Sequence, residues 1–222
     1  MTTKRVWILG TRVDDITFDE ALPLIEQYIE SRRPHQIVTS NTEFVMMARR
    51  DPAFAEVINK AAMVIPDGIG LLWAARLLGQ PLREHVRGTD LVERLMAFAA
   101  QKGYRVFLLG AAPGVAEMAA ANLTGRHPDL AIAGCYTGSP HPQDEAAIAQ
   151  TIHQAGRVDI LLVAYGAPAQ DKWIARNLPR LGVPVAVGVG GVFDFMSGRV
   201  KRAPGWVRRL ELEWLYRLVR QH

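Results

Sequence analysis

The 222-residue chain contains one cysteine, Cys135. A lone thiol excludes an internal disulfide and a cysteine-based zinc site, and its apolar neighbours mark it as a core residue. No run of 18 or more apolar residues occurs, so no segment reads as a membrane-spanning helix. The N-terminus, MTTKRVWILG, lacks the length and small-residue cleavage site of a signal peptide. These absences lead to the expectation of an untargeted, intracellular chain. Several chemistries are missing too. There is no G-x-S-x-G elbow, so acyl transfer through a serine is unsupported. The six histidines show neither H-E-x-x-H nor another metal-ligand spacing. Neither the dinucleotide fingerprint nor a Walker A loop is present. No D-x-D follows a predicted strand. Without such carboxylates to hold a divalent ion, the charge of a nucleotide diphosphate would have to be met by Arg, Lys and backbone dipoles. No metal and no cofactor is expected.

What is present is a chain that is 49% hydrophobic, enough to bury a core as one domain with an appendage. The net charge of +4 is unevenly placed: residues 199–222 hold seven Lys or Arg against two Glu, a net of +5, which leaves residues 1–198 at −1. A basic tail suggests an anionic partner such as a lipid headgroup, a diphosphate or nucleic acid.

Short apolar runs at 6–9, 36–40, 63–65, 105–110, 130–136, 159–166 and 184–190 alternate with helical patterns. Phe18, Leu22, Ile25 and Ile29 repeat at helical spacing behind a Thr17/Glu20 capping box, and Leu91, Leu95 and Phe98 do so after Thr89. Further helices are predicted at 42–61 (broken at Asp51-Pro52), 69–79, 113–124, 143–155 and 169–178. This alternation argues for an α/β, Rossmann-like, mainly parallel sheet with helices on both faces. The tail differs. Pro204 can open a helix over 205–220 whose Arg209, Glu213, Arg217 and Arg220 share a narrow polar stripe, with Trp206, Leu210, Trp214, Leu215 and Leu218 among the apolar remainder. Such a basic amphipathic helix suits either a wedge between the core and a second subunit or the interface of a bilayer.

Parallel topology gathers loops from the carboxyl ends of several strands around one crevice. Five loops stand there: TSNTE (39–43), PDGIG (66–70), GAAPG (110–114), YGAPAQDKW (165–173) and GVGGVFDF (188–195). Asp67 either places a carboxylate at the mouth of a buried strand or begins a turn ahead of Gly68. Gly110 and Gly114 fit a phosphate cradle before a helix or a tight turn with no ligand. Thr39 and Asn41 are candidate ligand contacts and equally good helix caps, and Gln170 by default is a solvated first-turn residue.

In order and spacing, TSNTEF, PDGIG, GQPLREHVRGTDL, VFLLGAAPG, GAPAQDKWI, GVGGVFDFMSG, RAPGW and LEWLYRL span residues 39–218. This succession resembles the WecG/TagA/CpsF family, glycosyltransferase family 26. The resemblance implies a bacterial, metal-independent, inverting transferase. Its glycosyltransferase domain would span 1–198 and its basic appendage 199–222. The donor would be a UDP-sugar, best N-acetylmannosamine or a related hexose; the better-known members use N-acetylmannosamine or its uronic acid. The acceptor would be a lipid-diphosphate-linked saccharide for cell-surface polysaccharide or teichoic acid. The implied setting is the inner face of the cell membrane, held peripherally on its anionic surface, with a homo-oligomer possible and no nucleic acid involved.

Carried over residue by residue, the resemblance makes Asp67 the general base and sets Thr39, Asn41 and Gln170 in the sugar and acceptor pocket. Gly68, Gly110, Gly114, Gly190, Gly191 and Asp194 join as substrate-binding candidates, and Arg202, Arg208, Arg209 and Arg217 as contacts for membrane or diphosphate. The family usually has Arg where this chain has His85, an Arg proposed to meet the donor diphosphate. Histidine is only partly charged near neutrality and cannot make the bidentate contact, so Arg87, two residues on, is the expected substitute. Members also generally continue past LEWLYRL with a further basic stretch. Two rivals stand beside this reading: a non-catalytic scaffold of a polysaccharide assembly complex, and a nucleotide-binding oxidoreductase, which lacks its fingerprint.

Overall fold

The computed structural model describes residues 3–200. The chain opens with an antiparallel hairpin, β1 (Lys4–Ile8) and β2 (Thr11–Asp15). Leu9 and Gly10 turn it with φ of 49° and 83°, the left-handed pair that a two-residue hairpin turn requires. The main sheet follows: β3 (His35–Ser40), β4 (Met63–Pro66), β5 (Arg105–Gly110), β6 (Ala131–Tyr136), β7 (Ile160–Ala164) and β8 (Val185–Gly188). All six run parallel, in the spatial order β4-β3-β8-β7-β5-β6. The helices are α1 (Phe18–Ser31), α2 (Thr42–Ala48), α3 (Pro52–Lys60), α4 (Ile69–Leu77), α5 (Gly88–Lys102), α6 (Val115–Arg126), α7 (Glu145–Gln154), α8 (Ala169–Leu181) and α9 (Val192–Met196).

The strands read as unbroken apolar runs because both faces of the sheet are covered. Along β5, Val106 and Leu108 enter one core with α1, α5, α6 and α9, while Phe107 and Leu109 enter another with α7 and α8. Phe107 is fully buried, and burial of such a side chain contributes about 1.5–3 kcal/mol. Cys135 packs against the first core and points its thiol at the Ala116 carbonyl. Burial, with the nearby Glu117 charge, pushes that thiol up to about 11, so it is inert near neutrality.

Helix starts follow the sequence signals. Thr17 Oγ1 accepts from Glu20 N while Glu20 Oε2 accepts from Thr17 N, closing the capping box of α1. Asp51 caps α3, whose first residue is Pro52, so the expected break at Asp51-Pro52 separates α2 from α3.

Two features depart from the expected alternation. The strand expected at 6–9 exists as part of β1, but it pairs only with β2, outside the parallel sheet. The hairpin instead seals the open edge of β4: Asp14 Oδ2 accepts from Val64 N at 2.8 Å. Sheet edges left with free N–H groups invite pairing with other chains, and a side-chain acceptor removes that opening. The segment after β8 was expected as a loop, yet 192–196 form α9, which packs on α6. The expected tail helix, with Arg202, Arg208, Arg209 and Arg217, lies outside the described residues. Among the described residues, no helix is long and apolar enough to cross a membrane.

Candidate active site

The carboxyl ends of β3, β4, β7 and β8 open on a cavity of about 300 Å³. Each wall comes from a strand-to-helix junction. Thr39 ends β3, and its Oγ1 donates to the Gly188 carbonyl at 3.2 Å, tying β3 to the end of β8. Asn41 is the N-cap of α2, its Oδ1 accepting from Phe44 N at 3.0 Å. It therefore caps a helix and lines the cavity at once. Asp67 follows β4. Its backbone N–H donates to Ser40 O at 2.7 Å, and Val86 N–H donates to Pro66 O, so the loop before α5 is drawn across the mouth of β4.

That crossing sets Gly88, the first residue of α5, against Asp67. A Cβ on Gly88 would stand 2.8 Å from Asp67 Oδ2 and 3.2 Å from Thr39 Cγ2. Only a glycine lets the helix N-terminus approach the carboxylate this closely. The Asp67 side chain is 32% exposed, and its Oδ1 lies 3.8 Å from His85 Nε2, a contact that becomes an ion pair when His85 is protonated. Arg87 Nη1 lies 3.3 Å from Asp90 Oδ2 in the first turn of α5.

Gln170 is 2% exposed, so it is not the solvated first-turn residue that its position in GAPAQDKW suggests. Its Oε1 accepts from Gly166 N at 3.1 Å and Gly190 N at 2.9 Å. One buried amide oxygen thus locks the loops after β7 and β8 together, and both loops line the cavity. Gly190 takes φ of +51° to turn away from β8.

Several expected residues sit elsewhere. Gly110 and Gly114 do not line this cavity. Gly110, at φ +100°, lies against the Ala164 backbone, where a Cβ would meet the carbonyl oxygen at 2.8 Å, so its role here is close strand packing. Gly114 takes φ +80° at the start of α6. Gly68 packs against Asn41. Asp194 lies one turn into α9, near Gly191 but outside the lining, and its carbonyl accepts from Val200 N. Among the described residues, no group of three His, Cys, Asp or Glu is placed to hold a metal.

The cavity also holds residues that sequence reading did not single out, among them Glu43, Met47, Gly88, Thr89 and Phe195. For Glu43 a signal existed: two residues beyond a helix N-cap at a strand's carboxyl end, its position falls in the first turn facing the crevice. Gly88 stands in the segment GQPLREHVRGTDL, but its contacts with Asp67 and Thr39, far away in the chain, could not be read from it.

The chain matches known proteins along nearly its whole length. The profile of the glycosyl transferase WecG/TagA/CpsF family matches residues 6–222. A Bacillus subtilis (strain 168) protein is 35% identical over 196 residues, covering 88% of this chain and 75% of its own length. One from Bacillus spizizenii is 37% identical over 192 residues, 86% of this chain and 74% of that protein. A Staphylococcus aureus (strain MRSA252) protein is 32% identical over 219 residues, 98% of this chain and 85% of that protein. All three are named N-acetylglucosaminyldiphosphoundecaprenol N-acetyl-beta-D-mannosaminyltransferase. A match across nearly the whole chain, on a parallel sheet whose strand ends carry the motifs, places this protein in the WecG/TagA/CpsF glycosyltransferase family.

Proposed function

We propose that the protein transfers N-acetylmannosamine from a UDP donor to N-acetylglucosamine linked through diphosphate to undecaprenol. The observation that carries this reading is the carboxylate of Asp67 in a cavity shared with Thr39 and Gln170, within a chain of this family. The names of the relatives support the sugar and the acceptor.

The reaction is a single displacement with inversion. The acceptor hydroxyl oxygen forms a bond to the anomeric carbon as the bond from that carbon to the donor diphosphate breaks through an oxocarbenium-like state. A hydroxyl is a weak nucleophile until its proton is drawn off. Asp67 accepts that proton as attack proceeds, a contribution of roughly 10²- to 10⁴-fold. The departing UDP gains negative charge, which the N–H groups at the start of α5, Arg87, His85 and cations of the tail stabilise without a metal. Thr39 and Gln170 keep the β3, β7 and β8 ends in register around the reacting atoms. The acceptor's polyprenyl chain lies in a bilayer, so transfer takes place at the membrane surface, where the basic segment 199–222 holds the chain peripherally.

UDP release measured with a short-chain acceptor analogue tests this reading. Asp67→Asn is expected to lower turnover by at least about 100-fold, since the amide cannot take a proton, while UDP affinity stays within about twofold. Near-normal turnover of the variant removes Asp67 as the base, and failure of the wild-type chain to use any UDP-sugar favours the scaffold instead.

A further inference from the structure

Helix α4 leaves large apolar side chains outside the fold. Trp73 is 63% exposed, Leu77 89%, and Leu78, the residue after the helix, 51%. Trp73 and Leu77 stand four apart on one helix face, while Leu71 and Ala75, on the opposite face, pack against Val6, Ile8 and Val13 of the hairpin. The helix is therefore anchored on one side and apolar on the other. It begins two residues after Asp67, and a Cβ on Gly70 would stand 2.7 Å from Thr42 Cγ2, so the first turns of α4 and α2 meet beside the cavity. Along α2, Met46 is exposed one turn beyond Thr42. Arg49 and Arg50, which follow α2, and Arg76, in the last turn of α4, are exposed as well.

We propose that this shoulder of α2 and α4 is a membrane contact separate from the basic tail, with Trp73, Leu77 and Leu78 entering the interface of an anionic bilayer and Arg49, Arg50 and Arg76 lying among its headgroups. The inference rests on the transferase reading above and names the side of the molecule from which the lipid-linked acceptor arrives. An indole and leucines flanked by arginines are the side chains that settle at headgroup depth: the ring and alkyl groups leave water, and the guanidinium groups meet lipid phosphates. A second copy of the chain fits the face less well, because two-fold packing of the patch on itself would bring the arginines of one copy against those of the other. The position also suits the reaction. Leu77 lies eight residues along α4, a rise of about 12 Å from the cavity rim, so an acceptor whose polyprenyl tail stays in the bilayer can pass its sugar to Asp67 without leaving the membrane. The shoulder and the tail bind one surface together, and each raises the effective concentration at which the other meets it.

The test uses the full-length chain. Cys135, the one native cysteine, packs on the core and is unreactive near neutrality, so a thiol introduced at the surface is labelled in preference to it. Leu77→Cys and, as a control at an exposed position of α3, Glu56→Cys each carry a polarity-sensitive nitrobenzoxadiazole dye. With vesicles of phosphatidylglycerol and phosphatidylcholine at low salt, the dye at Leu77→Cys is expected to shift to the blue and brighten at least about twofold, and the dye at Glu56→Cys to stay as it is in buffer. The double variant Trp73→Ser, Leu77→Ser is expected to bind those vesicles at least about tenfold more weakly. Its KM for a membrane-embedded acceptor should rise by a similar factor, while transfer to a water-soluble acceptor analogue and the melting temperature stay near wild type. A dye at Leu77→Cys that does not respond to vesicles the chain binds, or equal binding by the double variant, overturns the membrane contact. So does a shift from dimer to monomer in the double variant with vesicle binding intact, which would assign the face to a second copy. Failure of wild type to transfer to the soluble analogue overturns the transferase reading, and the dye and vesicle results then decide the contact on their own.

Discussion

Asp14, Asp15, Asp159 and Asp171 are buried among the described residues, and the first three meet donors. Asp14 meets Arg12, and Asp15 meets Arg83. Burial by itself would raise Asp159, but the Arg105 N–H and the guanidinium groups of Arg157 and Arg32 outweigh it and hold the carboxyl below its usual range. Asp171 is fully buried next to Gln170, and neither of its oxygens meets a donor in hydrogen-bond geometry. Burial pushes it up from 3.8 to about 7, and the Gln170 amide close by offsets only part of that. The sign follows directly. The folded chain keeps the proton after the unfolded chain has lost it, so stability is full below about pH 4 and falls as pH rises to about 7. Asp171→Asn removes that slope. Its stability relative to wild type is expected to improve by roughly 2–4 kcal/mol between pH 4 and pH 8, read from urea unfolding at the two pH values; parallel curves would show a partnered carboxylate. At this scale the sequence was partly legible. Asp67, Thr39 and Gly190 stand in short motifs at strand ends, where topology alone brings them to one crevice. Gln170 was legible through its motif alone and Asp171 not at all, because a Gln-Asp pair opening a helix looks solvated until β3 and β8 are laid beneath it.

Among the elements, the hairpin is where pattern and structure part. The six parallel strands announce themselves as apolar runs, and the helices by capping residues and period, so the sheet and its two covered faces could be read directly. Strand β2, TRVDD, carries three charges in five residues and is buried throughout, a combination that hydrophobic periodicity misses. Its burial depends on partners some fifty residues on. Arg12 donates to Ala61 O at 2.7 Å and pairs with Asp14, while Asp14 also takes the edge N–H of Val64. The guanidinium satisfies the end of α3 and the carboxylate closes the edge of β4. Arg12→Leu leaves Asp14 buried without its counter-charge, and such losses cost about 3–5 kcal/mol. The exposed pair Lys60–Glu56 is a control of opposite kind: Lys60→Ala is expected to leave the urea midpoint nearly unchanged, because solvent screens an exposed pair. Urea midpoints for the two variants decide the matter, and similar values would mean that the hairpin does not depend on its ion pair.

On the scale of the whole molecule, charge and chemistry are divided between two parts of the chain. Residues 1–198 carry a net of −1, and the described walls of the cavity present Asp67 and Glu43 with no Lys or Arg. The described walls thus offer no side-chain cation, yet under the proposed function a diphosphate donor and a diphosphate-linked acceptor both approach them. Residues 199–222 bring a net of +5. Juxtamembrane cations are each worth about 1 kcal/mol at an anionic surface, and that attraction fades beyond about 8 Å at physiological salt. A chain ending at Gly198 is therefore expected to lose binding to vesicles containing phosphatidylglycerol, and the full chain to lose it as salt is raised from 50 to 500 mM. Transfer to a membrane-embedded acceptor should fall by at least about tenfold in the shortened chain, by the mass action of a surface no longer bound. Transfer to a water-soluble acceptor analogue separates the two tasks of the tail. If the tail only docks, the soluble reaction is unchanged on truncation; if its cations also meet the leaving diphosphate, that reaction falls as well, through kcat more than KM. Vesicle binding that survives truncation, with sedimentation shifting from dimer to monomer, would assign the tail to subunit contact instead.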